Sequence, residues 1–568
     1  MINFKNENNL DNEISKYKKI TMIISIIRFI IAISLIISLI CLFSIGNYYL
    51  YGTISIILLA AFIILILFTN KYYKKYSLLN KKKQIYQNHY NRRNHNLNLF
   101  HDTGNEFINK DDYRSSDLDI FGKNSLFQYL NVAKTYYGRR LLKKQLTDPD
   151  IMSIDFTKSI YYLANEEKSL DIEAALLEFN ESAYGISPDE IRSIFNSKII
   201  FKPIFILPIL SFIITIFYLI GIFTLSFSAP YIVIFLVLNV ILSLICLKNN
   251  VYSAPNSKYH TLLLAYKDLY KIIKSLDLKD EYLISLINEI TPEISSLNNA
   301  IHLFSFLAMR DNIIFKLLSN IFIVDFFGIL IFNNLVKKNY NLNYIFINTS
   351  IIECALSLAI VGIDNEIYSI PEDNDIIDVL NMYHPLVKNC VPNSLKMDKG
   401  IILTGSNMSG KTTFMRTLGI NQILKNAGGL VFAESFKGPK LNVLTSLRCN
   451  DMLEEGVSTF YAEILRMKKM NQAIKEEKTL LLVDEIFKGT NQEERLTAAF
   501  KIIDIFNEYK SLFIISTHDN QLTEANNIDN YHFNEEYIDN KISFDYKIKK
   551  GICESKNALY LLKLADIL

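Results

Sequence analysis

IILTGSNMSGKTT, residues Ile401–Thr413, decides how the chain is read. An aliphatic run ends in Thr404. Gly405, four further residues, Gly410, Lys411 and Thr412 then complete the pattern G-x-x-x-x-G-K-[ST], between an expected strand and an expected helix over 414–425. Each fixed position has a physical reason. Gly405 and Gly410 permit a tight turn whose N–H groups point at phosphate oxygens. Lys411 brings a point charge for the β- and γ-phosphates, and the Thr412 hydroxyl suits a hard cation such as Mg2+. The helix N-terminus that follows favours an anion. The loop Gly405, Ser406, Asn407, Met408, Ser409, Gly410, Lys411, Thr412 and Thr413 is therefore expected to cradle a nucleotide.

Outward from the loop, the chain from about residue 376 alternates short β-rich runs (400–404, 430–433, 479–483, 511–516) with helical ones. That is the layout of a parallel sheet covered by helices. TLLLVDE (479–485) delivers Asp484 and Glu485 at the C-terminal end of a strand, where ligands sit in open α/β sheets. Asp484 is expected to hold Mg2+, directly or through water, and Glu485 to orient and polarise the attacking water. STHD (516–519) follows a third apolar strand. His518 there can touch a γ-phosphate, although a lone histidine is more often a satisfied surface or core residue. In EEGVSTFYAE (454–463), Ser458 and Thr459 stand just ahead of a helical stretch over 460–476. They make a good N-cap; the functional alternative is a helix N-terminus offered to a γ-phosphate, in a neighbouring subunit.

With 568 residues the chain has length for several domains. A net charge of +2 excludes a simple polycation and says little about partners. Half the residues are hydrophobic and only 21% charged, so apolar residues must be concentrated somewhere. The six cysteines are scattered without a CxxC, which fits a reducing compartment and points to neither a disulfide framework nor a zinc site.

The apolar residues gather in pairs of runs. Residues 20–43 and 53–69 are almost wholly apolar, joined by an uncharged link and flanked by lysines at 16, 18, 19, 71, 74, 75 and 81–83. Each approaches the length that spans a bilayer core, and positive charge on both outer flanks predicts a hairpin with both ends cytoplasmic. No small-residue cleavage site marks the first run as a signal peptide. Residues 203–223 and 229–247, flanked by Lys198, Lys202 and Lys248, repeat the arrangement. The run 313–335 carries Lys316 and Asp325, which is costly in lipid, so a buried helix is expected there. Helical periodicity marks 125–146, 172–179, 259–278 and 283–306.

Taken together, these motifs resemble the ATPase domain of MutS, the DNA mismatch-repair family within the ABC-type ATPases. The family's TGPNMGGKST stands here as TGSNMSGKTT, DEIGRGTS as DEIFKGTN (484–491), ST-F-x-x-E as STFYAE and ATH as STH. YHPLV (383–387) with Val391–Asn393 resembles the entry into that domain, and the tail SKNALYLLKLADIL its C-terminal pattern, loosely. DLDIFGKNSLFQYLNVAKTYYGRRLLKKQL (117–146) is similar to the start of the MutS helical core, and 312–365 to the end of its lever helices.

The resemblance implies an all-α core with lever helices and a C-terminal α/β P-loop ATPase domain of ABC type, which with the α-helical transmembrane hairpins expected from the apolar runs makes a multi-domain fold. The expected divisions are 1–97 with the first hairpin, 98–198 and 251–375 as two parts of the helical core, 199–250 as the second hairpin, and 376–568 as the ATPase. It also implies ATP and Mg2+ as cofactors, with Thr412 and Asp484 on the metal and Lys411, Glu485 and His518 in catalysis. A homodimer is implied, in which Ser458 and Thr459 of one subunit face the phosphate loop of the other, with DNA as partner.

There are departures. The mismatch-reading domain with its Phe-x-Glu wedge has no counterpart; Phe179–Asn180–Glu181 matches the bare pattern but sits inside the helical core. No nuclease-type domain is expected after Leu568. Ser406, Ser409 and Phe487 replace the usual Pro, Gly and Gly. Lys134, Arg139, Arg140, Lys143 and Lys144 are basic but equally fit a solvated helix face. Two other classes stay open: a transporter, against which stand the missing LSGGQ-type signature and hairpins too few and too poor in charge for a substrate path, and a membrane scaffold driven by nucleotide-dependent dimerisation without DNA specificity.

Overall fold

In the computed structural model the described residues are 7–45, 48–109, 111–149, 153–179, 185–196, 206–223, 231–247, 257–309, 312, 315, 334, 340–406, 408–448, 459–487, 491–538 and 541–552. In chain order their helices are α1 (Glu7–Ile45), α2 (Tyr48–Arg93), α3 (Tyr113–Asp117), α4 (Leu126–Leu130), α5 (Tyr136–Thr147), α6 (Ile154–Asn165), α7 (Ser169–Leu176), α8 (Pro188–Asn196), α9 (Ile206–Phe223), α10 (Ile232–Leu247), α11 (Ser257–Ser275), α12 (Glu281–Ile290), α13 (Ile294–Met309) and α14 (Asn343–Asp364). Then follow β1 (Glu372–Asp373), β2 (Ile377–Met382), β3 (Asn393–Met397), β4 (Gly400–Thr404), α15 (Lys411–Asn426), β5 (Ser435–Gly438), β6 (Asn442–Ser446), α16 (Thr459–Ala473), β7 (Thr479–Asp484), α17 (Gln492–Glu508), β8 (Leu512–Ser516), β9 (Ile528–Ile538) and β10 (Lys541–Lys550). Two compact units result: Met1–Asn131, Lys144–Ala175 and Leu358–Leu568 form one, and Val132–Lys143 with Leu176–Ser357 the other.

In the first unit, α1 and α2 pair along their length. The Ser38 and Ser55 hydroxyls are bonded at 2.9 Å, and Lys83 Nζ reaches Asp11 at 2.6 Å. The apolar runs 20–43 and 53–69 lie inside these helices, which continue as polar helix on the outer sides. Among the described residues, length and apolar composition qualify three helices to cross a membrane: Leu10–Leu42, Tyr49–Arg93 and Asn343–Asp364. Burial separates them. In the most apolar window only 6% of residues are buried in each of the first two, against 89% in the third, so α14 is a core helix and the pair presents its apolar sides outward.

The far end of α2 is of a different kind. His89, Arg92 and Arg93 enter the core, where His89 meets Asp364 and Glu173 at 2.9 Å each. Arg93 Nε donates to Asp364 Oδ1 at 3.1 Å and Arg92 lies over the Phe100 ring at 4.9 Å. Buried charges need such pairing.

The C-terminal part of this unit holds two sheets. The larger runs β10-β9-β4-β8-β7-β6, parallel except for the β10–β9 hairpin; the smaller runs β1-β5-β2-β3. Strands β4, β7 and β8 are buried nearly throughout and are aliphatic, as a covered parallel sheet requires. The run 430–433, expected as a strand, makes only an isolated bridge from Val431 to Ser369. Its residues are fully buried, but their backbone bonds go elsewhere: Phe432 N–H donates to the Asn421 side chain at 2.7 Å, and Phe432 O accepts from Tyr383 N. The strand β5 begins two residues past the run, at Ser435.

In the second unit, α9 and α10 are short apolar helices joined by a buried polar group. Ser211 donates to Asn239, whose amide donates to Thr215 Oγ1 at 3.0 Å. Such bonds tie helices together where no water competes. The helix expected over 283–306 is divided by a 3-10 turn, Thr291–Glu293, at Pro292. The one expected over 125–146 is interrupted between α4 and α5 because Lys134 N and Thr135 N donate to the Glu353 carboxylate, at 2.7 and 3.0 Å, instead of continuing a helical ladder. Of the run 313–335, all but residues 315 and 334 lies outside the described residues.

Candidate nucleotide site

Register brings the motif residues to one edge of the larger sheet. Leu403 pairs with Ser516, and Ser516 with Asp484, so the ends of β4, β8 and β7 are level. The phosphate loop leaves β4 there and enters α15. Gly405 has φ 139°, and a side chain on it would meet the Phe533 carbonyl at 2.8 Å and Ser409 Oγ at 3.1 Å. Gly410, at φ 108°, opens the helix. Both positions need the freedom of glycine.

Lys411 is buried at the base of the loop, its Nζ donating to Gly405 O at 2.7 Å and Ser406 O at 2.9 Å. Thr412 Oγ1 donates to Asp484 Oδ2 at 2.7 Å, and Asp484 Oδ1 accepts from Ser516 Oγ. A threonine hydroxyl beside a carboxylate is a hard oxygen pair, the donor type that suits Mg2+. Glu485 follows with a left-handed backbone, φ 49°, held by its N–H bond to Ser516 O at 3.0 Å. For a glutamate that conformation costs energy, and such costs concentrate at functional sites. It turns the Glu485 carboxylate toward His518, whose Nε2 lies 3.2 Å from Oε1. Arg495 grips Asp519 through Nε and Nη2 at 2.9 and 3.1 Å, fixing the segment that carries His518.

A cavity of about 440 Å³ is lined by Ser406, Met408 to Phe414, Asp484 and Glu485. Thus Lys411, Thr412, Asp484, Glu485 and His518 are brought together, as their motifs suggest. Asn407 and Ser458 lie outside the described residues; Thr459 opens α16. Phe487 is buried in the core beside Ile486, so its bulk is spent on packing. The opposite wall was not read from sequence: Lys388 to Val391, Phe533 and Tyr546. Phe533 and Tyr546 belong to the β9–β10 hairpin, which carries no phosphate motif. Asn393 ties that wall together, its amide donating to Tyr546 O at 2.9 Å.

A strand, a glycine-bounded loop, a buried lysine and acidic and histidine-bearing strand ends around one cavity define an α/β domain of the P-loop class. The family model described as MutS domain V matches residues 401–567. The chain is 33% identical over 223 residues to the DNA mismatch repair protein MutS of Bacillus licheniformis, covering 36% of this chain and 25% of that one. It is 30% identical over 222 residues to MutS protein homolog 4 of Homo sapiens (35% and 23%), and 30% over 257 residues to the DNA mismatch repair protein MSH3 of Vanderwaltozyma polyspora (41% and 25%). Residues 401–567 are thus a domain of the MutS domain V type. The matched part spans about a quarter of the length of these relatives.

Proposed function

We propose that this protein is a membrane-anchored, MutS-like ATPase that works as a homodimer on DNA. The observation that carries the reading is the convergence of Lys411, Thr412, Asp484 and Glu485 on one cavity, with His518 against Glu485, within a MutS domain V. The loop Gly405–Thr413 would hold the ATP phosphates, with Lys411 on the β- and γ-phosphates. Thr412 and Asp484 would hold Mg2+, which neutralises phosphate charge when bound. Glu485 orients and polarises water as general base, and His518, bonded to it, responds to the γ-phosphate. Ser458 and Thr459 would act in trans, at the phosphates bound by the other subunit. The lipid bilayer would receive the α1–α2 hairpin, supported by its outward apolar faces, and the α9–α10 pair. The ATPase and helical core would then lie on the cytoplasmic side.

DNA binding is the test. Full-length protein in detergent is titrated with perfect, single-mismatch and branched duplexes, with and without ATP, at two salt concentrations. Nucleotide-dependent binding is expected. Absence of binding at both salts would replace the DNA reading with a membrane scaffold driven by nucleotide-dependent dimerisation. The concentration of the relatives' similarity in the ATPase end of the chain favours that second reading over transport.

A further inference from the structure

The stretch 111–119, far from any phosphate motif in sequence, touches two helices of the nucleotide domain at once. From α16, Arg466 Nη1 donates to Asp117 Oδ2 at 3.0 Å and its guanidinium lies 4.3 Å over the Tyr113 ring. Lys469 of the same helix donates to Asp111 O at 3.1 Å. Asp117 is fully buried and also accepts the backbone N–H groups of Leu447 (3.0 Å) and Arg448 (3.2 Å), just past β6. Two residues on, Asp119 accepts from Arg416 of α15 at 3.2 Å and from both terminal nitrogens of Arg448 at 2.7 and 2.9 Å. Arg416 is one helical turn beyond Thr412, on the same face of α15. Burial pulls its guanidinium below the ordinary arginine range, Arg448 adds to this, and Asp119, Asp117 and Asp484 oppose it.

These contacts make a chain of charged groups from the phosphate-loop helix to α16, routed through one short segment. Buried and half-buried carboxylates that each serve several donors are costly to leave unpaired and hold geometry tightly. We propose that 111–119 is the cross-link between α15 and α16, and that Asp119 and Asp117 are positioning residues for nucleotide turnover. The proposal rests on the ATP-hydrolysing reading of the site. A displacement of α15 at the phosphate loop is passed through Arg416, Asp119 and Asp117 to Arg466. The start of α16, which that reading directs at the partner's nucleotide, moves with it.

Asp119→Asn is the informative change. Asp119 has a left-handed backbone, φ 52°, which asparagine adopts as readily, so the substitution removes charge without straining the chain. With full-length protein in detergent, kcat for ATP should fall about tenfold while KM stays within about twofold, because the phosphate loop itself is untouched. Arg448→Gln should act through the same carboxylate, so the double variant Asp119→Asn/Arg448→Gln should lose no more than Asp119→Asn alone. A raised KM with unchanged kcat, or additive losses, would overturn the proposal. Hydrogen exchange supplies a readout independent of turnover: Asp119→Asn should raise exchange in 411–426 and 459–473 together, with the strands β4 and β8 still protected. Unchanged exchange in either helix overturns the cross-link. Wild-type protein whose phosphate release equals that of Lys411→Ala would instead defeat the ATPase reading, leaving the exchange result to judge the cross-link.

Discussion

His89 near the end of α2 and Asp364 at the end of α14 are bonded to each other at 2.9 Å with both side chains fully buried. Glu173 occupies the other ring nitrogen at 2.9 Å. With a carboxylate at each nitrogen, the ring must donate twice, which is the imidazolium form. Burial alone would depress the His89 pKa; Asp364 and then Glu173 overcome it and hold the value at about 9.

A pH prediction follows from the sign of that shift. The folded value lies above the ordinary 6.5, so the contribution of His89 to stability is complete below about 6.5 and is lost as pH rises through about 9. Wild-type protein in detergent should melt progressively lower from pH 6.5 to 9.5. His89→Gln should melt lower at pH 6.5, by an amount on the order of 3 kcal/mol, and show a flatter pH profile. Equal slopes in the two proteins would remove His89 as the titrating group.

At the candidate nucleotide site, Glu485→Gln keeps shape and the His518 neighbour but removes the proposed base. ATP binding should persist while turnover falls by at least about 100-fold. Steady-state phosphate release and fluorescent-nucleotide binding separate the two effects. Hydrolysis at the wild-type rate would exclude Glu485 from the base role.

Lys411→Ala acts earlier. Its Nζ lies against Gly405 O and Ser406 O at the floor of the loop. The variant should lose most affinity for ATP, with little change in melting temperature measured without nucleotide. Undiminished affinity would mean that the cavity binds something other than nucleotide phosphates.

In the second unit, a methyl group at Gly138 would overlap the Glu353 carboxylate. That carboxylate is fully buried, and burial raises its pKa to about 7 against the opposing bonds from Thr135 and Lys134. Gly138→Ala should therefore destabilise by roughly 2–4 kcal/mol, read as a drop in urea midpoint. A neutral result would show that Glu353 has room to move.

Much of the candidate site's geometry was legible because its motif residues lie close together in sequence or at strand ends. A glycine, a lysine and a threonine at fixed spacing must act together, and strand ends announce Asp484 and Glu485. The wall made by Phe533 and Tyr546 was not legible, since aromatic residues on a hairpin read as ordinary packing. The partners of His89 were equally hidden: a separation of 275 positions from Asp364 leaves no local signal. The run 430–433 misled because buried aliphatic residues look alike whether or not their backbone joins a ladder. Glu353 misled in the opposite sense, interrupting a periodic helix from more than two hundred residues away.

Helix α2 has one more consequence. Beyond Thr69 it runs on as polar helix to Arg93, a length of about 36 Å at 1.5 Å per residue. Its end is fastened by His89 and Arg93, and its near part is braced by α1 through Asp11 and Lys83. On the membrane-anchored reading, such a strut acts as a ruler: it fixes the height at which the nucleotide domain is carried above the bilayer. Anything the domain grips must fit that clearance. Removing seven residues would lower the height by about 10 Å while nearly keeping the fastened face in register.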